Sequence, residues 1–184
     1  MDEDARFEGL IAQGLAASQE NRAQAALDLF AQASSLVPAS GIPHFLIGSE
    51  HAAAGDLAAA EAAFANAVLL SPKFLLARYQ LGLLQFSSDR AALALVTWQP
   101  LIRLPEQESL GHFVRGFAAL AQDQFDEALR HYRTGLACDG ANPSVVADIE
   151  RVVEAVERLA RRTDAPAPAE TSQHVLLAGY RRLH

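Results

Sequence analysis

An all-α chain of four repeated helix–turn–helix units is the fold this sequence predicts, and three columns of residues predict it. Glycines fall at Gly14, Gly48, Gly82 and Gly116, each 34 residues after the last. Aromatics follow the same step at Phe30, Phe64, Trp98 and Tyr132, and alanines at Ala26, Ala60, Ala94 and Ala128. Self-similarity at a fixed period of about 20–50 residues is the mark of stacked supersecondary units, each too small to bury its own apolar face. Nothing in the sequence reads as a strand.

Composition agrees. Hydrophobic residues make up 51% of the 184, enough for a sizeable core. The stretch from Ala52 to Ala67 is rich in alanine, and leucine leads the larger aliphatics. Both are strong helix formers. The length suits one compact domain or one short solenoid.

The units run from about 7 to 40, 41 to 74, 75 to 108 and 109 to 142. Helix breaks are expected near residues 20–23, 55–56, 88–89 and 123. Gly55-Asp56, Ser88-Asp89 and Asp123 are the residues expected to end one helix and N-cap the next. Ser40-Gly41-Ile42-Pro43 stops the first unit, and Pro38 and Pro72 close the first two. Unit three departs from the pattern. Pro100 sits inside the expected second helix, where a missing donor should kink or end it, and Leu101 stands where a small residue is expected. In unit four that small position is Gly135.

Asn142-Pro143-Ser144 offers a cap followed by proline at the first helical position. Beyond it, Val145, Val146, Ile149, Val152, Val153, Val156 and Leu159 form one helical stripe opposite a charged face. This predicts a capping helix over 143–162, because a stacked array needs a polar outer face at its end. Residues 163–171 then read as a Pro/Ala linker. Residues 172–184 form an apolar and basic tail whose Val175, Leu176, Leu177 and Tyr180 call for a partner surface, in cis or in a second copy.

The best-matched unit carries Gly48, Ala60, Phe64, Ala67 and Pro72. This pattern resembles the tetratricopeptide repeat, and the resemblance covers residues 7 to 142. It implies a right-handed helical solenoid of four repeats plus a capping helix, and a non-catalytic module that binds another polypeptide. It also implies that the first helix of each unit lines a concave groove. The groove columns here are Ile11, Phe45, Tyr79 and Phe113; Leu15, Ser49, Leu83 and Phe117; Ser18, Ala52, Phe86 and Leu120. Phe45, Tyr79, Leu83, Phe86, Phe113, Phe117 and Leu120 are the expected binding residues, and an apolar helix or peptide held by units two to four is the expected ligand. Some members grip a C-terminal carboxylate with lysine, arginine and asparagine, which these columns lack. An alternative is a secretion chaperone similar to the class II chaperones of type III secretion. Those carry an extra N-terminal dimerisation region, for which a first repeat starting near Phe7 leaves no room.

Other functions find little support. Net charge is −7 with one lysine, Lys73, so nucleic acid is not an expected partner. The first residues are acidic where a signal peptide is basic. No apolar run approaches the roughly 18 residues of a membrane span. Cys138 alone can form no internal disulfide, which fits a reducing compartment. A cytoplasmic location is therefore expected. His44 and His51 lie seven apart, not the three or four usual for a metal pair on one helix. His44 and His112 share a repeat column, which points to packing. Cys138, with His131 seven residues before it, has acidic Asp139 beside it and reads as a structural thiol. The carboxylates Asp28, Glu61, Asp126 and Glu127 read as solvated faces. No enzyme activity, cofactor or metal is expected.

Overall fold

The computed structural model describes residues 3–163. Among them lie nine α-helices: α1 (Glu3–Gln19), α2 (Ala23–Leu36), α3 (Ile42–Ala53), α4 (Leu57–Leu70), α5 (Leu75–Ser87), α6 (Ala91–Ile102), α7 (Ser109–Leu120), α8 (Phe125–Leu136) and α9 (Pro143–Thr163). No strand occurs among the described residues. The tail residues Val175, Leu176, Leu177 and Tyr180, and the linker before them from residue 164 on, lie outside the described residues.

The chain divides into two compact units that meet within α5, after Leu84. In the first unit α1 packs on α2, α2 on α3 and α3 on α4. In the second, α6 packs on α7, α7 on α8 and α8 on α9.

Each helix pair turns through one residue in the left-handed region: Asn21 (φ 58°), Gly55 (78°), Asp89 (62°) and Asp123 (57°). These positions are again 34 apart. Glycine, asparagine and aspartate are the residues that enter this region at least cost. At each turn the next residue's N–H reaches back five positions: Arg22 to the Ala17 carbonyl, Asp56 to His51, Arg90 to Gln85 and Gln124 to Ala119. The left-handed residue itself bonds three back, as Asn21 does to Ser18. This is the Schellman closure, which satisfies carbonyls that a helix C-terminus leaves orphaned.

The turn corrects one expectation. Asp89 and Asp123 do not cap the following helices; they occupy the left-handed position one residue earlier. The cap positions belong to Arg22, Asp56, Arg90 and Gln124, and of these only Asp56 supplies a side-chain cap, accepting from the Ala59 N–H at 3.1 Å. Before α9, the Asn142 Oδ1 accepts from the N–H groups of Ser144 (3.0 Å) and Val145 (3.3 Å), as the Asn-Pro-Ser sequence implies. Pro100 does not end α6 at once. The helix continues two residues to Ile102, with Pro100 exposed and Leu101 buried. The absent donor would have bonded the Val96 carbonyl, and Val96 is 70% exposed, so water can take its place.

The glycine and aromatic columns meet in one contact, seen in the first, second and fourth pairs. A Cβ placed on Gly14 would lie 2.3 Å from Phe30 Cε1, on Gly48 2.7 Å from Phe64 Cδ1, and on Gly116 2.4 Å from Tyr132 Cε1. The ring of the second helix therefore occupies the space that a side chain on the first would need. Phe30, Phe64 and Tyr132 are buried, as are Ala26, Ala60 and Ala128 one turn before them. In the fourth pair the contact is doubled in reverse, since a Cβ on Gly135 would lie 2.6 Å from Phe113 Cε1.

In the second unit the rings join. Phe117 stacks on Trp98 with centroids 5.3 Å apart, meets Tyr132 edge-on at 5.4 Å, and lies 5.2 Å from Phe86, which is 5.9 Å from Trp98. Such pairs add about 0.5–1.5 kcal/mol each beyond area burial. Val145, Ile149, Val152 and Val156 of α9 are buried, and Glu157 pairs with Arg133 of α8 at 2.7 Å.

Two stability predictions arise. Gly116→Ala should destabilise by about 1–3 kcal/mol despite the better helix former, because the methyl enters the Tyr132 ring. Gly9→Ala, whose Cβ meets nothing nearer than 4.0 Å, should stabilise by about 0.5–1 kcal/mol. Denaturant midpoints of opposite sign would bear out the contact, and equal gains would refute it. Phe117→Ala should cost about 3–5 kcal/mol by the same measurement, as the central ring of a closed cluster.

Candidate peptide-binding face

The first-helix columns change character along the chain. Ile11 and Phe45 are half-buried, whereas Tyr79 and Phe113 are fully buried. In the next column Leu15 is 41% exposed and Ser49 half-buried, whereas Leu83 and Phe117 are buried. In the third, Ser18, Ala52 and Phe86 are half-buried and Leu120 is buried.

Of the seven expected binding residues, then, Phe45 and Phe86 present surface. Tyr79, Leu83, Phe113, Phe117 and Leu120 are inside the chain. The cause is plain for two of them: Phe113 lies against Gly135 and His112, and Phe117 fills the centre of the aromatic cluster. As placed, these five offer almost no surface of their own. Periodicity could not reveal this, because every column member carries the same helical phase whether or not a neighbour covers it.

Of the column residues with surface, Ile11, Leu15, Ser18, Phe45, Ser49 and Ala52 lie in the first unit and Phe86 in the second. Ile11 packs partly on the Ala17, Ala26 and Phe30 cluster, and Phe45 on the cluster of Ala60, Phe64, Leu81 and Leu84. Phe45 also contacts the rings of Phe64 (5.7 Å) and Phe74 (4.9 Å). A hydrogen bond from the Ser18 hydroxyl to Glu50 Oε1 ties α1 to α3 beside them. Ser18 belongs to a groove column, whereas Glu50 stands in none.

Exposed apolar side chains on second helices add to this. Leu69 of α4 is 75% exposed and Val96 of α6 is 70% exposed. One repeat after Val96 stands Arg130, and one repeat after Leu93, also exposed, stands Glu127. Aligning the second helices by the 34-residue step would have exposed this contrast, since α8 carries charge where α6 is apolar.

Polar chemistry concentrates at α7 and α8. The buried His112 has Nε2 2.9 Å from the Glu106 carbonyl oxygen and Nδ1 3.3 Å from Nδ1 of His131. His131 Nε2 lies 3.2 Å from the Glu127 carboxylate, which Arg130 also engages through two nitrogens. That arginine, more than any other neighbour, holds the Glu127 carboxyl below its ordinary pKa. Burial first, and then the Arg130 charge, lower the pKa of His131. Arg115 donates to the carbonyls of Ile102 (3.1 Å) and Leu104 (2.6 Å), fixing the segment between α6 and α7. Cys138 Sγ lies 3.4 Å from the Thr134 carbonyl and 3.8 Å from that of Glu106. Glu127, expected as part of a solvated face, thus lies against both Arg130 and His131. Among the described residues no three His, Cys, Asp or Glu side chains are arranged to hold a metal ion, and no helix is long and apolar enough to cross a membrane.

No family model matches the chain, and no curated protein matches it. Solved structures do. The chain is similar to the MamA fragment 41-end from Desulfovibrio magneticus RS-1, at 13% identity over 97% of this chain and 93% of that one, with a TM-score of 0.63. It is similar to a chain of the APC/C hetero-tetramer Cut9-Hcn1, at 19% identity and a TM-score of 0.71, over 86% of this chain but 31% of that longer one. It is also similar to YrrB, described as a TPR protein with an unusual peptide-binding site, at 17% identity over 95% of this chain and 84% of that one, with a TM-score of 0.57. With the glycine–aromatic contact seen at Gly14, Gly48 and Gly116, these likenesses establish that the chain has the tetratricopeptide-repeat fold.

Proposed function

We propose that this protein is a non-catalytic interaction module that binds an apolar helix or extended peptide of another protein. The observation that carries the reading is the first-helix face of the first unit. There Leu15 is 41% exposed beside the half-buried Ile11 and Phe45, on helices already supplied with their own core. An amphipathic ligand helix would lay its apolar side on such a row, in the manner of helix-in-groove recognition. Ser49, whose hydroxyl bonds the Phe45 carbonyl at 3.0 Å, and Glu50 would form the polar edge. Phe86 would serve in the same role on the second unit, with the buried Tyr79, Leu83, Phe113, Phe117 and Leu120 as supports. The peptide-binding description of YrrB favours this class of ligand.

A second reading places the partner on the outer helices, where Leu69 and Val96 stand in water. Large exposed apolar side chains on a helix without charge around them, as Leu93 and Val96 are on α6, favour an interaction surface there. The tail residues Val175, Leu176, Leu177 and Tyr180 would be an internal ligand for either surface, or the seam of a homodimer.

The two readings separate by substitution. Leu15→Asp and Val96→Asp both change exposed positions, so melting temperatures should stay close to wild type. On the first reading Leu15→Asp should weaken partner affinity about ten- to hundredfold, the equivalent of losing one buried leucine, and Val96→Asp should leave it unchanged. Titration of the purified partner against each variant checks this. The reverse pattern would move the site to the outer face, and unchanged affinity for both would end the proposal.

A further inference from the structure

Asp4, Glu8, Ile11, Leu15 and Ser18 follow one another at steps of four and three residues, so they share one face of α1. Beside it stands α3, tied on by the hydrogen bond from the Ser18 hydroxyl to Glu50, with Ile42 44% exposed and Phe45 half-buried. The apolar middle of this surface is therefore flanked by acids, with the exposed Asp4 and Glu8 at one end and Glu50 at the other. No lysine or arginine answers them from the same helices. None occurs in α3. Arg6 of α1 lines a recess against α2 with Leu10, Ala31 and Leu36. Arg22, past the end of α1, is paired with Glu20 at 2.7 Å. Asp4 and Glu8 carry no ion pair among the described residues. A ligand that fits this surface brings apolar side chains with positive charge beside them. The chain contains such a segment. Residues 172–184 hold Val175, Leu176, Leu177 and Tyr180, then Arg181 and Arg182, and no acidic side chain.

We propose that residues 172–184 of a second copy of this chain occupy the face, and that two copies exchange these segments reciprocally as a dimer. The inference rests on the first-helix face of the first unit being the binding face, and it names the occupant. Val175, Leu176, Leu177 and Tyr180 cover Ile11, Leu15, Ile42 and Phe45, and burial of these apolar groups drives the contact. Arg181 and Arg182 lie against Asp4 and Glu8, which sets the direction. Turned the other way, the arginines would meet only Glu50, which already accepts from Ser18. Residues 164–171 span up to roughly 28 Å when extended, enough to hand the segment to another molecule. Each copy gives one segment and receives one, so the contact closes with two-fold symmetry and leaves neither face unfilled. A net charge of −7 opposes the approach of two copies, and contact through a cationic segment relieves that opposition. A filled face excludes other ligands, so the dimer and a complex with another protein compete.

The test is light scattering of the full chain from about 1 µM to about 100 µM, a range that spans the dissociation constants of weak dimers. The mass should rise from one chain to two across it. Arg181→Glu with Arg182→Glu should weaken the dimer about tenfold, and so should Asp4→Lys with Glu8→Lys. All four changes together exchange the signs and should return the dissociation constant to near wild type, a rescue that misfolding cannot mimic. Added salt should weaken the wild-type and four-fold variant dimers alike. A single chain at every concentration, a dimer indifferent to either pair of reversals, or no recovery in the four-fold variant would each overturn the proposal. So would dissociation by Val96→Asp, which would give the seam to the outer helices. No outside partner enters this measurement, so its failure leaves the partner titration of Leu15→Asp to decide the binding face by itself.

Discussion

The closeness with which the two helices of a pair approach governs the rest of this structure. At Gly14, Gly48 and Gly116 an aromatic ring rests where a side chain would otherwise begin. A buried aromatic contributes through its large area, but only if the facing helix gives way, and glycine lets it do so. The helix loses about 0.5–1 kcal/mol for each such glycine, and the ring's burial more than offsets it. Once that contact is set, the alanine one turn earlier must stay small, and the left-handed turn at the end of the first helix must bring the chain straight back.

The turn and the contact are complementary constraints on one hairpin. The left-handed residue fixes direction, and the glycine fixes distance. Because neither depends on the outer face, that face is free to vary, and it does. On α8 it is charged, with Glu127 and Arg130 paired, whereas on α6 it shows Leu93 and Val96. In the fourth pair a polar constraint joins the apolar ones, as His112 and His131 meet between α7 and α8 while Phe113 meets Gly135. Function has room to act on the face that the hairpin does not specify.

Helix number, repeat phase and the capping stripe of α9 were legible in the sequence because each recurs with a fixed period or lies on one helical face. The turn chemistry was half legible. Asp89 and Asp123 marked the right place, but aspartate serves both as an N-cap and as a left-handed residue, and only the column through Asn21 and Gly55 separates the two uses. The binding face was least legible. Tyr79 and Ile11 occupy the same column, yet one is buried and the other half-exposed, and period says nothing of what covers a position. The His112–His131 contact joins residues 19 apart on facing helices, and no repeat column pairs them.

The aromatic cluster also equips the chain with an optical reporter. Trp98 is its one tryptophan, fully buried and stacked on Phe117 within the second unit. Tryptophan emission therefore senses water entering that unit and is blind to the first, whereas helical circular dichroism sums both. A difference between the two signals during unfolding measures whether the halves that meet in α5 melt as one cooperative body or in succession, and no label need be attached to see it.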